Sequence, residues 1–256
     1  MKTKLFVLVG VLLLLAMIPA LAMGQSQAKP SRTGKVVLDM SQPYGPQLAA
    51  QLPSSRGNAP AGQGVPASRA AASQGIQPQA VYGLLNTSFE APNWPSTSGN
   101  ADGFDFFELG SPVGWDSTTL KAKRGNQSLY AAGYNNNPLL NPYYDDNMLS
   151  GAFYAMDLQG ARRVQVRFQY MNDSEYGYDY FLYCVSPDMF TLYCDYHTGS
   201  TNNTWRLIEL DSRTNPYLAD ALDSPDTIFG VIFYSDSIIV DRGTFVDVAR
   251  IRAWGP

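Results

Sequence analysis

From Val81 onward the chain repeats with a period of two, and no segment sustains the 3.6-residue period of an amphipathic helix. The clearest run places Val164, Val166, Phe168 and Tyr170 on one face and Arg163, Gln165, Arg167 and Gln169 on the other. A strand of that pattern lines a core with its first set and meets water with its second. Further strand-like runs are Val81 to Leu85, Gln127 to Ala132, Ala152 to Leu158, Asp179 to Val185, Thr191 to Tyr196, Trp205 to Leu210, Thr227 to Tyr234 and Thr244 to Ile251. Turns rich in Gly, Asn, Asp and Pro separate them. Only Tyr217 to Leu222 hints at a helical turn. Parallel sheets would need helical crossovers, so the pattern predicts an all-β fold: an antiparallel two-sheet β-sandwich of jelly-roll type.

The rest of the chain lacks core material, since 30 of 32 aromatic residues lie from Val81 onward. Residues 1–22 carry Lys2 and Lys4, an apolar run from Leu5 to Ile18, and Ala20-Leu21-Ala22 before a cleavage point. This reads as a secretory signal peptide; the run is short of the ~20 apolar residues a membrane span needs. Residues 23–80 read as a low-complexity linker or disordered tail, because Ala, Gln, Pro, Gly and Ser fill 32 of the 40 positions from 41 to 80. Val36-Val37-Leu38 is a brief apolar piece that nothing requires to be a strand. The expected organisation is a signal peptide over 1–22, a linker over 23–80 and a β-sandwich domain over 81–256.

Residues 81–256 hold 11 basic and 21 acidic side chains, a net charge of -10. Nucleic acid needs a basic footprint, so that class of partner is excluded. The +4 of residues 23–80 is dilute and reads as a solubilising spacer. No membrane span remains once the signal is removed, and the product is expected outside the cell.

The chemistry of common enzymes is missing. One histidine, His197, excludes a His-Glu-x-x-His metallopeptidase and leaves a Ser-His-Asp triad without support; it sits in Gly/Ser/Asn-rich text and reads as an exposed turn residue. The four glutamates, Glu90, Glu108, Glu175 and Glu209, do not form the Glu-x-Asp-x-x-Glu of jelly-roll glucanases. Cys184 and Cys194 lie ten apart in strand-like text and predict one disulfide stapling the turn from Ser186 to Met189.

Several short motifs carry a resemblance. They are Leu84-Leu85-Asn86-Thr87-Ser88-Phe89-Glu90, Gly114-Trp115, Gly125-Asn126-Gln127-Ser128-Leu129-Tyr130, Asp179-Tyr180-Phe181 leading to Ser186-Pro187-Asp188, Tyr234-Ser235-Asp236 and Gly243-Thr244-Phe245-Val246-Asp247. With these, residues 84–251 resemble the jelly-roll accessory domains of secreted bacterial peptidases of the immune inhibitor A type, akin to MAM domains and carbohydrate-binding modules. Two positions depart from that pattern: Met189-Phe190 stand where Gly-Gly is common, and Val248 replaces a second Asp on the last strand. The resemblance implies a non-catalytic binding or accessory module.

Asp247 stands in a nearly continuous apolar run, where a carboxylate is costly unless paired, hydrogen-bonded or bound to metal. The first and last strands of such sandwiches run close together. Glu90 and Asp247, with Asn86 and backbone carbonyls, are therefore a candidate structural calcium site. A solvent-facing Asp247, or an ion pair with Arg250 or Arg252, is the competing reading. For ligand binding, rings that stack on sugars and carboxylates or amides that bond hydroxyls occur together at Tyr143, Tyr144, Asp145, Asp146 and Asn147, and again at Tyr176 and Tyr178 beside Asp173 and Glu175. The same residue types also make ordinary turns. The expected function is a secreted, non-catalytic module for a glycan or another cell-surface ligand; the alternatives are a glycoside-active jelly-roll enzyme and a structural envelope or matrix module.

Overall fold

The computed structural model describes residues 31–42, 44–52, 81–90, 104–109, 114–133 and 143–255. The signal peptide expected over 1–22 lies outside them. Twelve strands and two short helices follow in the order β1 (Ser31–Asp39), α1 (Tyr44–Gln51), β2 (Val81–Thr87), β3 (Phe104–Leu109), β4 (Gly114–Thr118), β5 (Ser128–Gly133), β6 (Leu149–Met156), β7 (Arg163–Asp173), β8 (Tyr180–Ser186), β9 (Thr191–Gly199), β10 (Arg206–Asp211), α2 (Pro216–Asp220), β11 (Thr227–Tyr234) and β12 (Gly243–Trp254). One sheet runs β1-β9-β8-β11-β6-β3; the other runs β10-β7-β12-β5-β4, with β2 pairing β12 as well. All pairings are antiparallel. The all-β two-sheet sandwich is as the two-residue period implies.

The alternation along β7 holds residue by residue, with Val164, Val166, Phe168 and Tyr170 buried. Phe168 crosses to the opposite sheet, its ring 6.4 Å from Phe181 and 5.6 Å from Phe229. Trp115 on β4 crosses too, packing 6.3 Å from Phe181 and donating its indole N–H to the Ser150 carbonyl at 3.1 Å. The charged face of β7 pairs with β10 instead, Arg167 with Glu209 at 3.0 Å and Arg163 with Asp211 at 2.6 Å. Cys184 and Cys194 face each other across the β8–β9 hairpin and are joined by a disulfide. The Asp188 side chain accepts the Phe190 and Thr191 amides and closes that turn.

The stretch expected to be a linker holds two ordered elements. β1 pairs with β9 over nine residues, and Val36 and Leu38 join Leu48 and Leu52 of the α1 segment in a second core on the outer face of the first sheet. That core covers Leu182, Leu192, Ile232 and both cysteines. The signal at 36–38 was visible, but the composition after residue 40 masked it. α1 also closes the outward edge of β1. Val37 N–H donates to Gln51 Oε1 at 2.9 Å and Gln51 Nε2 donates to the Val37 carbonyl at 2.5 Å; Gln47 does the same for Asp39 at 2.7 and 2.9 Å. Two amides one helical turn apart thus stand in for a neighbouring strand, which is how an exposed edge is kept from templating association. A chain that starts at Pro53 lacks both β1 and α1, which bares the β9 edge and the outer core. It is expected to bind an apolar dye several-fold more strongly than the full chain and to self-associate in light scattering; identical behaviour of the two would show the cover to be dispensable.

Candidate functional site

The two clusters singled out by residue type, 143–147 and 173–178, meet at one end of the sandwich. They meet through Tyr144 and Asp179. Both are buried. The Tyr144 hydroxyl donates to Asp179 Oδ2 and accepts the Glu175 N–H at 3.2 Å, and the Asp236 N–H donates to Asp179 Oδ1 at 2.8 Å. Tyr144 N–H also reaches the Asp241 carbonyl at 3.1 Å, and Asn147 N–H the Asp236 carbonyl at 2.6 Å. One carboxylate therefore ties the 143–148 and 235–242 loops to the 173–179 loop. The positive φ of Asn147, 56°, turns the chain at this junction, a role an asparagine takes more readily than most residues.

Of the expected ligand contacts, Tyr143 is 47% exposed and Tyr176 40% exposed, with Asp146 and Asn147 also exposed. Asp145 and Tyr178 are half-buried. Tyr144 is not a stacking platform, because its ring is buried against Phe233 at 4.8 Å. Residues 134–142 of the same loop lie outside the described residues. Asp179 and Asp236 complete the site without having been singled out for it; an Asp opening a strand and an Asp after one carry no local sign of convergence.

Carboxylate oxygens of Glu175, Asp179 and Asp236 lie within 4.8 Å of one another. Burial, with smaller contributions from the Asp236 and Glu175 charges, pushes the Asp179 carboxyl up to about 7 against its two hydrogen bonds. Burial and the Asp236 and Asp241 charges raise Glu175 as well. The folded chain thus keeps a proton at Asp179 that the unfolded chain releases near pH 4. The resulting stability is complete below that value and is lost as pH rises through about 7. D179N is expected to flatten the fall in Tm between pH 4 and pH 8, by on the order of a few kcal/mol in the unfolding free energy. An unchanged pH profile would place the titration elsewhere.

Glu90 and Asp247 also come together, at the loop Lys123–Gln127. Asp247 is buried, and its carboxylate accepts N–H groups of Lys123 at 2.6 Å, Arg124 at 2.9 Å and Val248 at 2.6 Å. Glu90 accepts the Asn126 and Gln127 amides, each at 3.1 Å. Gly125, at φ 73°, lets the loop wrap this pair, because a Cβ there would collide with the Glu90 carboxylate. Asp247 is therefore neither solvent-facing nor paired with Arg250 or Arg252. Its register breaks between Asp247 and Arg250, where Val248 takes φ 54°. Asn86 is exposed on β2, opposite Arg250. His197, expected in an exposed turn, is buried on β9 with its Nδ1 3.2 Å from the Tyr170 hydroxyl.

No family model matches this chain. No curated protein matches it either. Among solved structures it is similar to the CBM22-1 xylan-binding domain from Paenibacillus barcinonensis Xyn10C, at 15% identity over 69% of this chain and 97% of that chain, with a TM-score of 0.42. It is similar to the K3 cleaved adhesin domain of Lys-gingipain from Porphyromonas gingivalis, at 13% identity over 68% of this chain and 99% of that one, TM-score 0.44. TmCBM61, solved with β-1,4-galactotriose, is 11% identical over 64% of this chain and 97% of that chain, TM-score 0.41. Carbohydrate-binding modules and an adhesin domain are thus among the sandwiches it resembles. These likenesses assign no ligand to this chain. Among the described residues no helix is long and apolar enough to cross a membrane.

Proposed function

We propose that the chain is a secreted, non-catalytic sandwich module that binds a neutral glycan at the loop end built around Asp179. The observation that carries this reading is the pair of exposed rings, Tyr143 and Tyr176, on loops joined through one buried carboxylate. Rings of this kind stack on the apolar faces of sugars, and carboxylates such as the neighbouring Glu175 and Asp236 accept hydrogen bonds from sugar hydroxyls. Their negative charge selects against anionic sugars. Asp179 has the raised proton affinity of a general acid, but it is buried with both oxygens already bonded, so it has no path to a glycosidic oxygen.

The test is titration calorimetry of the full chain with soluble xylan and with β-1,4-galactotriose, alongside an assay for released reducing ends. Binding without release is expected, and Y143A and Y176A are each expected to weaken it about tenfold or more, on the order of 1.4 kcal/mol. Sugar release lost on changing one carboxylate would instead favour the enzyme. Absence of both, with self-association, would favour a structural module.

Calcium at Glu90 and Asp247 belongs to this proposal as a brace for the fold, with Asn86 a candidate ligand beside backbone carbonyls. Burial raises the proton affinity of Asp247 against its backbone hydrogen bonds, and the nearby Glu90 carboxylate adds to the rise. A divalent cation would neutralise both; the five amide N–H groups around them offset the same charge without metal. A melt with calcium and with chelator decides. A midpoint several degrees higher in calcium, lost in E90Q and retained in D179N, supports the brace; an equal midpoint with no metal bound removes it.

A further inference from the structure

The second sheet carries a cavity where β7 ends and β12 begins. Tyr170 of β7 meets Phe181 of the first sheet at 5.2 Å and pairs with Val246 of β12. The adjoining pair, Met171 and Phe245, therefore points the other way, to the outer face, and Gly243 pairs with Asp173 two residues further on. Arg242 precedes Gly243. Asn203 is brought to the same place by its turn, in which Thr201 N–H donates to the Asn172 carbonyl at 2.8 Å and Asn172 N–H donates to the Thr201 hydroxyl at 3.2 Å. Met171, Asp173, Asn203, Arg242, Gly243 and Phe245 thus line one common space of about 50 Å³. It stands at the roots of the loops that form the candidate site: Asp173 opens the loop carrying Tyr176, and Arg242 follows Asp241, whose carbonyl holds Tyr144 next to exposed Tyr143.

Size restricts what can enter. A pocket that takes a whole small ligand measures roughly 300–1,000 Å³, and a water in the liquid occupies about 30 Å³, so this space holds one substituent and not a sugar ring. The lining then sorts the substituents. Met171 and Phe245, both nearly buried, offer a thioether and a ring, and Phe245 is held by Tyr130 stacked on it at 4.5 Å. Half-buried Asp173 offers an acceptor; exposed Arg242 and Asn203 offer donors. A hydroxyl or hydroxymethyl group leaves the apolar floor unused. A carboxylate or sulfate meets Arg242 but stands beside Asp173, and an amine meets Asp173 but stands beside Arg242. An acetamido group matches all three kinds of lining, with a methyl, a carbonyl oxygen and an N–H.

We propose that this cavity is the specificity subsite of the loop-end site and takes the acetamido group of an N-acetylated hexosamine: the methyl packs on Met171 and Phe245, the carbonyl oxygen accepts from Arg242 and Asn203, and the N–H donates to Asp173. The inference rests on the glycan-binding reading above and adds the class of sugar to it. Such a ligand is neutral, in keeping with the carboxylates of the loop end. Selection follows from a difference in affinity, because a sugar without the acetamido group leaves the cavity to water and keeps only the contacts with the tyrosines and carboxylates.

The experiment titrates the full chain with triacetylchitotriose and, separately, with cellotriose, which has the same β-1,4-linked backbone with a hydroxyl in place of each acetamido group. Triacetylchitotriose is expected to bind about tenfold or more tightly than cellotriose. R242A and D173A are each expected to cut that ratio to about threefold or less, whereas Y143A weakens both sugars together and leaves the ratio in place. Arg242 is exposed, so R242A keeps the fold, and an unaltered melting curve checks both variants. Equal affinity for the two sugars, or a preference that survives both R242A and D173A, overturns the subsite. Binding of both sugars that still depends on Tyr143 would then leave the loop-end reading standing; failure of both to bind at millimolar concentration removes the subsite and weighs against that reading as well.

Discussion

Everything else in this molecule hangs on apolar side chains from one sheet reaching into the other. Phe168 is the centre of that contact: it leaves the second sheet and lies against Phe181, Tyr183 and Phe229 of the first. Burying a ring of this size contributes roughly 1.5–3 kcal/mol, and ring pairs at these separations add to it. Trp115 repeats the arrangement from β4, and its indole N–H finds the Ser150 carbonyl, so the ring enters the core without leaving a polar atom unpaired. With the sheets held face to face, the end loops send some rings such as Tyr144 into the core and leave others, Tyr143 and Tyr176, exposed to solvent.

The sheets solve their edge problem unevenly. At β1 the chain covers its own edge with α1, whose glutamines grip the strand backbone while its leucines close a second core. Among the described residues the inner side of the same strand has no such cover, and burial falls off along it toward half-buried Tyr193 and Asp195. Polar residues there serve as edge protection whatever they bind, because inward-pointing charges such as Lys35 and Asp195 discourage strand addition.

Electrostatics divide the surface further. At the loop end, three carboxylates crowd together because the backbone brings them there to anchor loops, and the cost appears as raised proton affinity. At Glu90 and Asp247 the cost is met by amides, which a positive-φ glycine allows to approach. The chain therefore uses buried carboxylates twice as fasteners. The acidic composition of residues 81–256 records this partly, yet composition alone could not say which acids are fasteners and which face a ligand.

Alternation in β7, the hairpin of Cys184 and Cys194, and the turn residues around them were legible because side-chain direction in a strand repeats every two residues and needs no distant partner to set it. The class of fold followed from that local rule. Tyr144 shows where the rule stops: its neighbours 143–147 have the chemistry of a binding loop, but whether a given ring points outward or down onto Asp179 depends on a partner 35 positions further along the chain. The same holds for His197, whose polar neighbours read as a turn until β1 and β7 enclose it, and for residues 31–52, whose low-complexity continuation hid a strand that only the β9 edge could order. Face and period are properties of neighbouring residues and were determined by the sequence itself. Burial, convergence and edge cover depend on which strands meet, and the closing of two sheets on one core decided them.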